Sequence, residues 1–458
     1  MVSVPRGLRP ARDRQPPGPP LRATPVLLRK LVSDRLGLMN LAAAGYGDAV
    51  RLRMGPKPLY VFNHPDYAKH VLADNASNYH KGIGLVQAKR AIGNGLLTSD
   101  GELWRQQRKV IQPAFQVKQI AKQAGVVADE AAALVDRLAR HRNLGPVDVV
   151  PEMTKLTLGV LGRALLDTDL GGYDQIAHSF ESVQDQAMFE MVTLGVMPMW
   201  LPLPKQLRFR RARAELERIV RDLVVEEGRR PAGSGQDIMS RLVASAAQES
   251  DSETGRIRIR DELVTLLLAG HETTASTLSW AFYLIGRHPE VWQRLHEEAV
   301  TVLGDRPPEY EDLRTLTYTT MVVQEVMRLY PPVWILPRLA VADDEVAGYR
   351  VPAGADVVVS PYIMHRNRSF WLDPERFVPE RFAPDAAKER PTYAYLPFGA
   401  GPRFCVGNNL GMMEAVFVIA CVVRQLRLTA VAGRRVQAEP MLSLRVRGGL
   451  PMIVTDPR

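Results

Sequence analysis

Residues 398–407 read Phe398-Gly399-Ala400-Gly401-Pro402-Arg403-Phe404-Cys405-Val406-Gly407, and an apolar stretch from Leu410 to Val423, rich enough to form a buried helix, follows them. A cysteine set among glycines, two residues after an arginine and just ahead of a helix, is laid out as a thiolate ligand. A metal-bound sulfur must be deprotonated, and an anion in apolar surroundings needs backbone N–H donors. A glycine-rich turn opening onto a helix N-terminus supplies them, with the positive end of the helix dipole. Gly401 and Gly407 let the backbone curl close to a flat macrocycle, and Arg403 can pair with an acidic substituent on it. The other cysteine is Cys421. Across an intervening helix it lies about 24 Å further along the axis, outside disulfide reach, and reads as core packing. Two cysteines make neither a tetrahedral metal site nor a secreted disulfide framework.

The chain of 458 residues is 46% hydrophobic and 24% charged, an ordinary globular balance. Its net charge of +9 is spread along the sequence. No nucleic-acid motif accompanies that charge, so a mixed solvated surface is expected, with local basic clusters able to dock an acidic partner. Residues 1–20 form a polar, Pro-rich tail that is neither signal peptide nor membrane anchor, and the apolar runs elsewhere are too short to span a bilayer. Together with the low cysteine count this predicts a cytoplasmic protein.

Ala49 to Met54 and Leu59 to Phe62 alternate around Gly55-Pro56-Lys57, a hairpin signal. From about Pro65 to Tyr330 the pattern is helical, with amphipathic stretches at Val117–Leu138, Thr154–Leu165, Asp174–Leu194 and Leu207–Glu227. Strand-like runs return at Gly348–Val351, Asp356–Val359, Met441–Val446 and Met452–Thr455. A mainly α chain with small β-sheets is implied. No linker or composition break divides residues 21–458, which are expected to form a single domain.

The longest helical pattern, Asp261 to Arg287, would run about 40 Å. It is apolar on most faces, yet carries Ala269-Gly270-His271-Glu272-Thr273-Thr274 at its middle. Buried carboxylates and hydroxyls cost free energy unless paired, so the cluster points to chemistry. The alternative is local: Thr273 bonding back to the carbonyl four residues earlier, with Glu272 reaching water.

Taken together, these segments resemble the cytochrome P450 superfamily. Phe398 to Gly407 matches its haem-ligating loop F-x-x-G-x-R-x-C-x-G, and Ala269 to Thr273 matches its oxygen-binding motif A/G-G-x-D/E-T. Glu325-Val326-Met327-Arg328 resembles its E-x-x-R helix, and Trp104 to Arg108 its W-x-x-x-R helix. The resemblance covers nearly the whole chain from about Pro20. It implies a P450 fold, with haem b held between the long central helix and the helix after the cysteine loop, and Cys405 as the iron ligand. Glu272 would bring in protons, Thr273 would steady the oxygen and its water, and Gly270 would open room for dioxygen. Trp104, Arg108, Arg338 and Arg403 would meet the haem propionates, with Phe398 and Gly407 completing the cofactor loop. Glu325 and Arg328 would form a structural network with a third arginine, Arg381 or its rival Arg376. Leu266, Ala269, Val333, Ile335 and Leu442 would line the substrate pocket. The stretch Met188, Met191, Met197, Met199 and Trp200, with Gly195 and Pro198, would make a mobile lid.

The implied activity is a haem-thiolate monooxygenase of secondary metabolism that hydroxylates or epoxidises an apolar small molecule of terpenoid, polyketide or fatty-acid-like type. No flavin or iron–sulfur segment is present, so electrons are expected from NAD(P)H through a ferredoxin and its reductase, or a flavodoxin. Lys109, Lys118, Lys122 and Arg424 are the expected docking patch. Two alternatives remain at this level: a peroxide-driven or isomerising haem-thiolate enzyme, and a haem-based sensor, which gives Glu272 and Thr273 no role.

Overall fold

Alternation along residues 49–62 builds the first sheet. In β1 (Ala49–Arg53) Val50 and Leu52 are buried while Arg51 and Arg53 stay half-exposed, and β2 (Pro58–Phe62) returns antiparallel with Val61 opposite Val50. The computed structural model describes residues 14–53, 58–168, 175–193, 197–227, 238–248 and 251–457. The expected turn at Gly55-Pro56-Lys57, the first thirteen residues of the tail and Gly195 of the expected lid lie outside them.

By their contacts the residues divide into two units. The first comprises Met1–Val86, Val333–Glu375 and Lys388–Cys405. Here β3 (Tyr79–Lys81), β4 (Leu336–Ala340) and β5 (Asp356–Val359) complete a sheet ordered β1-β2-β5-β4-β3, with β2 and β5 parallel and the other pairs antiparallel. Its core gathers Tyr60, Phe62, Val71, Leu72, Val357, Val359 and Leu396. Each fully buried side chain of this size contributes about 1.5–3 kcal/mol.

The second unit, Gln87–Pro332, Arg376–Ala387 and Val406–Arg458, is the helical one. Its principal helices are α1 (Gly101–Ile111), α2 (Ala124–Ala139), α3 (Val149–Leu165), α4 (Gln175–Val192), α5 (Pro204–Glu227), α6 (Ser252–Ile285), α7 (Thr317–Leu329) and α8 (Asn408–Gln425). A hairpin of β6 (Ala438–Pro440) and β7 (Leu444–Val446) belongs to it as well. The buried stripe Ala124, Ala128, Ala131, Val135 on α2 recurs every three to four residues, and its small side chains let α8 pack closely. On α8 every residue from Met413 to Val423 is buried. The 34-residue α6 packs against α3, α7, α8 and β7.

Three boundaries differ from expectation. The long helix begins at Ser252 rather than Asp261, because Asp251 caps it, accepting from Thr254 N at 2.7 Å, and the charged turns 252–260 stay helical at the protein surface. The stretch 117–138 is broken at residues 122–123 into Val117–Ala121 and α2. Of the strand expected over 441–446, only Leu444–Val446 pairs.

The motif on α7 is entirely buried: Glu325 and Arg328 are both 0% exposed. Arg328 donates from Nε and NH2 to the two carboxylate oxygens at 2.7 and 2.9 Å, a bidentate pair. Val378 N donates to Glu325 Oε1 at 2.9 Å, and Arg381 Nε lies 3.4 Å from the same oxygen. The rivalry between the two arginines resolves into different jobs: Arg381 brings its guanidinium, while Arg376 offers its carbonyl to Arg328 at 3.0 Å. Removing one partner strands a buried charge at a cost of about 3–5 kcal/mol. Glu325→Ala and Arg328→Ala are therefore expected to melt far below the parent and to retain little cofactor, as read by thermal denaturation and absorbance. Parent-like melting with full cofactor in either variant would reduce the network to a surface bridge.

Candidate active site

The cysteine loop lies in the first unit and is anchored at its start by a buried histidine: Leu396 N donates to His365 Nε2 at 2.8 Å. It then folds on itself, Gly399 N donating to Leu396 O at 3.2 Å and Cys405 N to Phe398 O at 3.0 Å. Gly399 and Gly401 sit at φ +71° and +66°, in the left-handed region that favours glycine. A Cβ on Gly401 would also fall 1.9 Å from Leu72 O, so the close approach there is to the backbone of residue 72. Gly407, at the start of α8, has φ −87°, which any residue adopts, so no left-handed backbone calls for glycine there. The strained glycine that the sequence motif leaves unspecified is Gly399.

The two thiols differ as their environments dictate. Cys421 is buried and its thiol is pushed up to about 11 by that burial, which makes it inert. Cys405 is exposed, and beside it the Phe398 and Phe404 rings meet edge to face at 6.3 Å, with Phe404 39% exposed. Chain continuity carries Cys405 through Val406 and Gly407 directly into α8. Arg403 is half-buried on the same loop.

Arg338, in β4, is 6% exposed rather than a solvated strand residue, and its NH1 donates to Pro337 O at 2.9 Å. Its partner across the sheet is Lys81, 8% exposed. Two buried cations thus share one rung, and Lys81 carried no signal in the sequence because a single lysine in a short strand belongs to no motif. On the neighbouring segment, Val333 and Ile335 are half-exposed and alternate with buried Trp334.

In the second unit, the Arg108 guanidinium lies 5.7 Å from the Trp104 ring centre, one helical turn away on α1. On α6, Leu266 and Thr273 are half-exposed and Ala269 exposed, so residues spaced three and four apart present one accessible face on an otherwise buried segment. Thr273 Oγ1 donates to Ala269 O at 2.7 Å. Its proton is thereby engaged with its own helix, and its lone pairs remain able to accept. At Gly270 a Cβ would lie 2.7 Å from Leu161 Cδ2, so its bareness also lets α3 approach α6 closely.

Burial raises the Glu272 carboxyl to about 7, against the opposing pull of a Ser443 hydrogen bond, the Arg445 charge and Gln184. Ser443 Oγ donates to Glu272 Oε1 at 2.8 Å. His271 is 4% exposed, bonded to Leu267 O, and driven down to about 4 by burial, which leaves it a neutral structural imidazole. Leu442 is half-exposed at the tip of the β6–β7 hairpin. The segment at residues 94–96 is tied to α6 by two backbone donors, Asn94 N to Asp261 Oδ2 at 2.7 Å and Leu96 N to Glu262 Oε2 at 3.0 Å.

Comparison with known proteins now gives the class. The sequence profile of the Cytochrome P450 family matches residues 16–449, and the chain belongs to that family. It is 37% identical to the cyclooctatin synthase of Streptomyces melanosporofaciens over 95% of this chain and 94% of that protein. It is also 37% identical to the cyclooctat-9-en-7-ol 5-monooxygenase of the same organism, over 98% of each. Identity to the pentalenene oxygenase of Streptomyces avermitilis is 34%, over 84% of this chain and 85% of that one. The protein is thus a haem-thiolate monooxygenase that uses haem b, dioxygen and electrons delivered from NAD(P)H by redox partners, and that acts on an apolar small molecule.

The residues present fit that cofactor. Among the described residues no group of three or more His, Cys, Asp or Glu side chains could hold a bare metal ion. The accessible thiol of Cys405 therefore suits a metal that brings its remaining ligands in an organic ring. No described helix is long and apolar enough to cross a membrane. Cys405→Ser is expected to lose the strongly red-shifted Soret band of the reduced carbon monoxide adduct, since Cys421 is buried in α8; a variant that kept the band would remove Cys405 from the metal.

Proposed function

We propose that residues 21–458 act as one catalytic domain that oxidises a cyclic terpenoid, with Cys405 as the iron ligand and Glu272 and Thr273 handling protons. The observation that carries the proposal is on α6: a carboxyl that holds its proton near neutrality adjoins a hydroxyl and the apolar face of Leu266 and Ala269. Hydrocarbon oxidation needs those three things together. Support for a terpenoid comes from the relatives, two of which are named for oxidising cyclooctat-9-en-7-ol and pentalenene. Support for one domain is the family match, which runs through residues of both units.

Haem, when bound, activates dioxygen, and thiolate donation favours O–O cleavage. The reaction consumes one dioxygen, two electrons and two protons to give an oxidised substrate and one water. Glu272 Oε holds a proton for this purpose, and Thr273 Oγ1, its own proton fixed on Ala269 O, accepts a hydrogen bond from the water that passes it on. Leu266, Ala269, Val333, Ile335 and Leu442 exclude water and hold the hydrocarbon. Arg338 with Lys81, Arg403, and Arg108 beside Trp104 bind the cofactor's carboxylates, while the Glu325–Arg328–Arg381 network holds the chain leading to the loop.

A ferredoxin with an NAD(P)H-dependent reductase supplies the electrons in this proposal. Lys109, Lys118 and Lys122 are exposed and suit an acidic donor. Arg424 keeps its charge for that role while its NH1 donates to the Gly304 and Arg306 carbonyls at 2.9 and 2.8 Å. Both cysteines are free thiols, in keeping with a reducing compartment such as the cytoplasm.

The test is reconstitution with a ferredoxin, its reductase and cyclic terpenes that shift the haem spin state. The parent should form oxidised terpene in proportion to NAD(P)H consumed. Thr273→Ala should keep consuming NAD(P)H while product falls and hydrogen peroxide accumulates. An unchanged product ratio would confine Thr273 to capping its own helix, and failure of every terpene to bind would sink the substrate class.

A further inference from the structure

Glu272 shares a stripe of α6 with Ser276 and Trp280, four and eight residues on, and that stripe holds the β6–β7 hairpin. Ser276 Oγ and Trp280 Nε1 both donate to the Leu444 carbonyl, at 2.6 and 2.8 Å, and Leu444 N donates to Pro332 O at 2.8 Å. With Leu444 pinned through both backbone groups, the preceding residue is set against Glu272: Ser443, 1% exposed, donates from Oγ to Oε1 at 2.8 Å. Arg445, on the other side of Leu444, bonds from Nε to Glu439 Oε2 at 2.8 Å and lies 3.8 Å from Glu181 of α4, whose side chain is 58% exposed. Hairpin, α4 and solvent thus meet beside one carboxyl.

We propose that Ser443 and Arg445 are positioning residues for the proton of Glu272: the serine holds the carboxyl at Oε1, and the arginine, moored to Glu439 and Glu181 toward solvent, sets the pH at which the proton leaves. This rests on the role given to Glu272 above. Each of the two protons that a turnover consumes passes from Glu272 into the pocket and is replaced by one from solvent, so the carboxyl returns to its starting state and takes no part in electron transfer. The chemistry of the surroundings agrees. Burial favours the neutral acid, while the Ser443 bond and the Arg445 charge favour the carboxylate, in that order, and Gln184 of α4 adds to them. His271, next to Glu272 on α6, is neutral. Among the helices packed against α6, α3 carries Glu152, Lys155 and Arg163, α7 carries Glu325 and Arg328, α8 carries Glu414 and Arg424, and α5 and the helices Ile238–Ala246 and Pro289–Leu303 carry further charges; the charge that acts on Glu272 is that of Arg445.

The sign follows directly. Removing either group removes support for the carboxylate, so the acid should keep its proton to higher pH. In the holoenzyme, two readouts follow it: product formed per NAD(P)H from mildly acid to alkaline pH, and the infrared carbonyl band of protonated Glu272, assigned by its loss in Glu272→Gln. The parent should lose both through neutrality. Ser443→Ala and Arg445→Met should each move both transitions upward by about one pH unit, and Arg445→Lys should restore most of the shift. The hairpin is pinned through the Leu444 backbone, so the side-chain variants should fold, and the infrared band reports even where activity is low. If Ser443→Ala and Arg445→Met depress coupling equally at every pH with the band unmoved, the two residues only support the hairpin and the inference is overturned. If Glu272→Gln itself leaves coupling and its pH profile unchanged, the proton role of Glu272 fails instead.

Discussion

Glu325 has no exposed surface, and a carboxylate in such a place persists only when its lone pairs are met by donors. Arg328 supplies two and the Val378 backbone a third, and the Arg381 guanidinium adds its charge 3.4 Å from Oε1. The consequence is positional. Residues 376–382, whose only regular structure is the short 3-10 turn Pro379–Phe382, are clamped to α7, and from them the chain runs on toward the cysteine loop. A hydrophobic replacement of the same volume would bury as well, but it would not hold the Val378 N–H and the Arg376 carbonyl in one arrangement. Directional bonds are what residues 376–382 need, since shape alone would not fix which backbone groups face α7.

The same division between packing and direction runs through α6. Its buried faces bind α3, α7 and α8 by shape, and Gly270 belongs to that task through Leu161. Its polar residues serve a second purpose. Ser276 and Trp280 fix the hairpin through one carbonyl, and Glu272 faces the product of that fixing. The polar cluster in the helix middle is therefore partly structural, and the structural part prepares the chemical one.

Much of this was legible in the sequence because the signals were either periodic or tied to fixed spacing. The Phe398 to Gly407 spacing marked Cys405, the alternation at residues 49–62 marked the first hairpin, and E-x-x-R marked a pair that proved to be wholly buried. What escaped detection depends on residues brought together from distant parts of the chain. Lys81 meets Arg338 only because β3 and β4 pair, and Ser443 reaches Glu272 only because two donors capture Leu444. The close packing of Leu161 on Gly270 joins positions more than a hundred residues apart. The first turns of α6 were missed for a local reason: residues 252–260 are mostly charged or polar, and only the Asp251 cap shows that they are helical.

The central claim is that Cys405, Glu272 and Thr273 serve the insertion of one oxygen atom from dioxygen into an apolar substrate. Its most direct measurement is turnover under isotopically labelled dioxygen in unlabelled water, with mass spectrometry of the product. One labelled oxygen per product molecule is the expected result. Unlabelled product under those conditions, or label acquired only from labelled water, would contradict the account.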